Sequence, residues 1–202
     1  MSLIDKYLIN IKSNIVNSNV YTGISFSRYN YDFGLKNNLI DFCKKQNVKS
    51  FADFGCGPGW YVSYLRGISV NAVGFDANPC TCEMSSYINN GKKCCFVENL
   101  TEELVATEKY DMSMLLNVGQ HISKEYEDVV ISNLAKNTNK YILVSWEKYG
   151  DGTNCVTEEY LVSKFLEYKY FKNSYATVVF RDKSFLQTHK DNLILFEKIE
   201  GI

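Results

Sequence analysis

Phe51-Ala52-Asp53-Phe54-Gly55-Cys56-Gly57-Pro58-Gly59-Trp60 reads as a short apolar strand that reaches an acid and then breaks into glycines spaced two apart. Glycine has no Cβ and adopts positive φ readily, so Gly55, Gly57 and Gly59 let the backbone turn sharply and let a ligand lie on main-chain N–H groups. A helical stretch from Trp60 to Leu65 ends near Gly67. Asn71-Ala72-Val73-Gly74-Phe75-Asp76 then reads as a second strand ending in an acid, at about the spacing of a ribose-binding carboxylate. Strand, loop, helix, strand and acid together predict a nucleotide-like ligand. The dinucleotide fingerprint G-x-G-x-x-G sets its third glycine one residue later, so the spacing disfavours a nicotinamide-dependent oxidoreductase.

Upstream, Ile4, Tyr7, Leu8, Ile11 and Ile15 keep one apolar face at helical spacing behind a capping-box start at Ser2. The stretch 17–33 has no clear period. It reads either as a lid whose Arg28, Tyr29 and Tyr31 contact substrate or as an aromatic surface loop. Leu35, Leu39, Ile40 and Cys43 predict a helix over 34–46.

Downstream, Pro79 opens a helix that Asn90-Gly91 stops, and Cys94–Val97 is a short third strand. Tyr110–Asn117 is a fourth strand, followed by a helix over 123–135. Lys140–Trp146, almost wholly apolar, is a fifth strand buried on both faces. Thr157 caps a helix to about Tyr168. Tyr175–Phe180 and Asn192–Glu197 read as two last strands joined by a loop over 183–191. The alternation predicts an α/β, doubly wound, mostly parallel seven-stranded sheet. The closing strands, with no helix between them, predict a reversed C-terminal hairpin. The expected organisation is one domain over 1–202, with N-terminal helices and lid over 1–47 and a Rossmann-like core over 48–202.

Hydrophobic residues make up 46% of the 202 positions and charged residues 22%, in the range of globular proteins that fold without disulfides. A net charge of −1 disfavours a nucleic-acid partner. No apolar run approaches a membrane span and no signal peptide opens the chain, so a cytoplasmic protein is expected, and its seven cysteines fit a reducing compartment. Cys80-x-Cys82 and Cys94-Cys95 lack the C-x-x-C spacing and nearby histidines of a zinc site and read as buried small hydrophobes. Asn99-Leu100-Thr101 is formally a glycosylation sequon, irrelevant outside the secretory route.

The acid followed by alternating glycines resembles the nucleotide loop of the class I S-adenosylmethionine (SAM) dependent methyltransferases. That resemblance is specific over about residues 48–122 and architectural beyond. It implies SAM as cofactor, with S-adenosylhomocysteine (SAH) as product. The backbone over 55–59, Cys56 included, then faces the methionine part, and Asp53 orders the loop and the amino group. Asp76 accepts from the ribose hydroxyls, with Ala77 beside it, and Glu98 or Asn99 meets the adenine amino group, with Leu100 next to it. Asn117 and Val118 complete the cofactor side.

Asn117-Val118-Gly119-Gln120-His121 departs from many relatives, which carry Glu at the places of Asn117 and Gln120. His121 is the candidate general base, with capping of the following helix as the competing reading. His189 has no sequence neighbours that assign it catalysis. Trp146, Glu147, Tyr149 and Asp151 lie where relatives place acceptor contacts. No metal is expected, although Asp151 with Glu147 could hold a divalent ion. The leading function is O-methylation of a hydroxyl on a small polar acceptor, a sugar of a glycan foremost. The alternatives are N-methylation of a small-molecule amine and a catalytically silent SAM-binding partner subunit.

Overall fold

The computed structural model describes residues 31–199. Arg28, Tyr29, the expected first helix and most of the expected lid lie outside the described residues. The chain runs α1 (Phe33–Lys45), β1 (Ser50–Phe54), α2 (Trp60–Gly67), β2 (Asn71–Asp76), α3 (Pro79–Ile88), β3 (Cys95–Val97) and β4 (Tyr110–Leu116). It continues through α4 (Glu127–Lys136), β5 (Thr138–Ser145), α5 (Glu158–Leu166), β6 (Tyr170–Lys172), α6 (Ser174–Lys183), α7 (Gln187–Asn192) and β7 (Leu193–Lys198). The strands form one seven-stranded sheet in the order β3-β2-β1-β4-β5-β7-β6.

Strands β1 to β5 are parallel, and β7 runs antiparallel to both β5 and β6. Strand side chains alternate between faces, so successive residues feed two cores. Phe51, Met112, Met114, Leu143 and Leu195 meet Leu35 and Leu39 of α1, Val62 and Leu65 of α2 and Phe180 of α6. Ala52, Phe54, Leu115, Ile142, Val144 and Phe196 meet Val130, Ile131 and Leu134 of α4 and Leu161 and Phe165 of α5. That two-sided burial explains the continuous apolar runs of the central strands.

The doubly wound sheet and its reversed C-terminal pair are as expected, and the strand expected over Asn192–Glu197 is β7, but its edge partner is built from other residues. Tyr175–Phe180 is not a strand. It lies in α6, where Asn173 caps the helix by accepting from Ala176 N at 2.9 Å, and Ala176, Thr177 and Phe180 face the core at helical spacing. The run Thr177-Val178-Val179 favours a strand locally, and helix packing overrides it. The true edge strand is Tyr170–Lys172, and α6 and α7 stand between it and β7, so the loop expected over 183–191 is largely helical.

The helix expected from Ser123 is preceded by two 3₁₀ turns, Gly119–His121 and Lys124–Tyr126, and begins at Glu127. The helix after Thr157 ends at Leu166 rather than Tyr168, with Thr157 Oγ1 accepting from Tyr160 N at 3.2 Å. Among the described residues, no helix is long and apolar enough to cross a membrane.

Candidate active site

Strand order reverses between β1 and β4, which opens a crevice at their carboxyl ends. The loop after β1 takes up this position with Gly55, Gly57 and Gly59 at φ values of 77°, 52° and 75°, the left-handed region that glycine enters without strain. Gly55 N and Cys56 N both donate to Phe75 O, at 2.7 and 3.1 Å, which bends the loop over the end of β2. A Cβ on Gly55 would lie 2.3 Å from Val118 Cγ2, so the glycine also permits the segment after β4 to settle on the loop.

Asp76 holds the loop from the other side. Its Oδ2 accepts from Gly57 N at 2.9 Å, and its Oδ1 accepts from Asn78 N at 2.9 Å and Thr81 Oγ1 at 3.1 Å. The carboxylate is therefore a structural clamp, and of its roughly four acceptor positions about one is left for a ligand hydroxyl. Burial is the largest influence on its pKa and raises it.

Asp53 is only 3% exposed, at the end of β1 beneath the glycine loop. Burial, reinforced by the proximity of Cys95 and Asp76, raises its pKa well above the usual carboxylate value. A buried acid with a raised pKa is matched by a cationic ligand group, whose charge would restore the ionised form.

At the next strand end Asn99 is committed locally. Its Oδ1 accepts from Thr101 N and Thr101 Oγ1, and its Nδ2 donates to Glu102. Glu98 is exposed, and Leu100 is buried.

The Val118–His121 turn is fixed between two supports. Val118 lies on Gly55, and a Cβ on Gly119 would come within 2.2 Å of the Trp146 ring. Trp146 is 2% exposed and donates from Nε1 to Asn154 O at 2.7 Å. The structure thus puts Trp146 in the core beneath the turn instead of on an acceptor surface. His121 is exposed at the end of the turn, Tyr149 and Asp151 are exposed in the loop after β5, and Glu147 accepts from Thr188 Oγ1 at 3.2 Å. Tyr31 lies amid Phe33, Trp60, Tyr61 and Tyr64 in an aromatic cluster beside α2. Among the described residues, no cluster of three His, Cys, Asp or Glu side chains is arranged to hold a metal ion. Burial pushes the thiols of Cys43 and Cys82 up to about 12, which keeps them protonated and makes them small hydrophobes.

Sequence reading passed over the pair Asp32–His189. Asp32 is fully buried and caps α1 by accepting from Leu35 N at 2.9 Å. It also accepts from Phe185 N at 3.0 Å, from Leu186 N at 2.9 Å and from His189 Nδ1 at 3.0 Å. His189, 1% exposed, meets Asn117 Nδ2 through its other ring nitrogen at 3.3 Å. The one local signal that could have found Asp32 is its N-cap residue type three positions before Leu35. Nothing local marked His189, which lies 157 positions away.

The pKa of His189 is lowered, chiefly by burial, with the hydrogen bond and charge of Asp32 offsetting part of the effect. Its proton is therefore bound later in the folded than in the unfolded state. The contribution of the neutral ring is fully present above about pH 6.5 and is lost as pH falls from there through the folded pKa. For Asp32, burial is the largest influence and acts upward. The hydrogen bonds from Leu186, Leu35, Phe185 and His189 outweigh it and leave the pKa below the usual value. Its contribution is lost only at lower pH, as pH falls from about 3.9 through the folded pKa. Asp53 and Asp76, both raised, carry the opposite slope. Urea titrations at pH 5 and pH 7 should therefore show His189→Gln losing less stability on acidification than wild type; equal losses would contradict the neutral buried ring.

Parallel strands β3-β2-β1-β4-β5 with a reversed strand inserted at the far edge, and a glycine loop facing acids at the strand ends, define the fold of the class I SAM-dependent methyltransferases. The sugar N-methyltransferase KedS8 from Streptoalloteichus sp. superposes with a TM-score of 0.68 at 9% identity, over 93% of this chain and 99% of that one. Magnesium protoporphyrin IX methyltransferase ChlM from Synechocystis, solved with bound SAH, gives 0.64 at 12% identity over 97% and 93%. N-methyltransferase NodS from Bradyrhizobium japonicum, also with SAH, gives 0.62 at 12% over 96% and 99%. No protein-family model matches the sequence, and no curated relative matches it.

Proposed function

We propose that this chain is a SAM-dependent methyltransferase that methylates a hydroxyl of a small polar acceptor, with a sugar hydroxyl as the leading substrate class and His121 as general base. The observation that carries this reading is the Val118–His121 turn, seated on Gly55 and backed by Trp146, which ends in an exposed histidine at the exit of the central strand. The donor set fits the cofactor. Three left-handed glycines expose a concave backbone, Asp53 is a buried acid suited to the amino group, and Asp76 retains acceptor capacity for a ribose hydroxyl.

SAM supplies a methyl group on a positively charged sulfur. The work of the protein is to align the acceptor oxygen with that methyl, exclude water and remove the hydroxyl proton. A neutral imidazole at His121 takes that proton at a ring nitrogen. Tyr149, Glu147 and Asp151 on the loop after β5, with Tyr31, Arg28 and Tyr29 from the chain entry, are the proposed acceptor contacts.

N-methylation is the second reading, supported by the likeness to a sugar N-methyltransferase. Incubation of the full chain with methyl-labelled SAM and pooled amino and neutral sugars, followed by mass spectrometry of the products, tests both. Label on oxygen of a neutral sugar is the expected result. Label confined to nitrogen overturns the hydroxyl assignment and leaves methyl transfer standing.

A further inference from the structure

We infer that Asp32, His189 and Asn117 form a buried positioning relay that holds the cofactor-facing end of β4 in its binding conformation. This rests on the SAM reading above and adds to it a residue, His189, that itself touches no cofactor.

Asn117 is the residue that needs holding. It sits at φ 54°, in the left-handed region that asparagine enters more readily than other side chains but that still needs neighbours to hold one conformation. Its neighbours do so here. Asn117 N donates to Ser145 O at 2.8 Å, and Asn117 Oδ1 accepts from Ser145 Oγ at 2.8 Å and from Thr188 Oγ1 at 3.4 Å. In this arrangement Oδ1 is the acceptor end of the amide and Nδ2 is the end that meets His189 Nε2.

The donor order of the relay is fixed from its far end. Asp32 takes three main-chain N–H groups as well as His189 Nδ1, a set that an acceptor-only carboxylate satisfies. Nδ1 therefore carries the proton and donates to Asp32, and Nε2 of the neutral ring accepts from Asn117 Nδ2. Each member has one role, and an inverted Asn117 amide would set Oδ1 against the lone pair of Nε2.

Two consequences follow for binding. Val118, next along the chain, is delivered onto Gly55, so the same amide orientation supports the glycine loop. Asp32 also donates its own N–H to the Tyr61 hydroxyl at 3.2 Å, tying the relay to α2, which the glycine loop leads into. The relay thus links the N-terminal entry of the chain, the α6–α7 connection and both strand ends that flank the crevice.

Calorimetry with SAH on the full chain tests this. His189→Gln keeps a donor for Asp32 and an acceptor for Asn117, whereas His189→Phe keeps a ring and loses both. The expected result is an SAH Kd within about threefold of wild type for Gln and weakened about tenfold or more for Phe, a ratio worth ~1.4 kcal/mol. Adding Asn117→Ala to His189→Phe should weaken binding no further than either change alone. Wild-type affinity in a folded Phe variant, or a Gln variant as weak as Phe, overturns the relay. Should Phe not fold, two-bond ¹H–¹⁵N correlation spectra of the wild-type imidazole decide, with Nδ1 protonation expected and Nε2 protonation contradicting. A wild-type chain that binds no SAH would instead overturn the cofactor reading and the relay with it.

Discussion

Asp32→Ala should destabilise the folded protein by about 3–5 kcal/mol, the range for removing one partner from a buried charged network. The carboxylate is fully buried and serves three separate segments, the first turn of α1 through Leu35, the α6–α7 connection through Phe185 and Leu186, and α7 through His189. Alanine leaves three main-chain donors and one imidazole donor facing no acceptor, too deep for bulk water to replace it. At this chain length each kcal/mol is worth roughly 2–4 °C, so the melting temperature should fall by about 10 °C. Asp32→Asn keeps one oxygen and should fall between. Urea unfolding of the three proteins measures this, and a loss under about 1 kcal/mol for alanine would show the network to be incidental.

His121→Ala should retain SAH affinity and lose about 10²–10⁴-fold in kcat, the usual range for a positioned general base. The side chain lies on the surface at the end of a 3₁₀ turn whose seat is made by Val118 and Gly119, so truncating it removes little packing. Wild-type activity should rise with pH as the imidazole loses its proton, and the variant should lose that limb. Turnover of the alanine variant near wild type on the true acceptor would remove His121 from the chemistry. The same result would favour an amine acceptor, which reaches the methyl with its own lone pair.

The sheet and the conformation of the glycine loop were legible in the sequence because their signals are local. Glycines at 55, 57 and 59, an acid at 76 and apolar runs in β1, β4 and β5 each carry meaning within a few residues, and the structure gives these segments the expected conformations. The C-terminal third was misread where local preference and tertiary packing disagree. Thr177-Val178-Val179 favours a strand by side-chain shape, but the Asn173 cap and the burial of Phe180 make it helix. Trp146 was assigned to the acceptor by its position after β5, and sequence could not show that Gly119 leaves room for its ring. The Asp32–His189–Asn117 network was illegible for a different reason, since its members come from the entry to α1, α7 and the end of β4 and meet only through the fold.

Whether the glycine loop and its acids hold SAM is decided by thermal melting of the full chain with SAH, SAM or NAD. A ligand that binds only the folded state at about 100 times its dissociation constant adds ~2.7 kcal/mol. SAH and SAM should therefore each raise the melting temperature by about 5–10 °C, while NAD leaves it unchanged. A shift with NAD and none with SAH or SAM would make the loop a dinucleotide site instead.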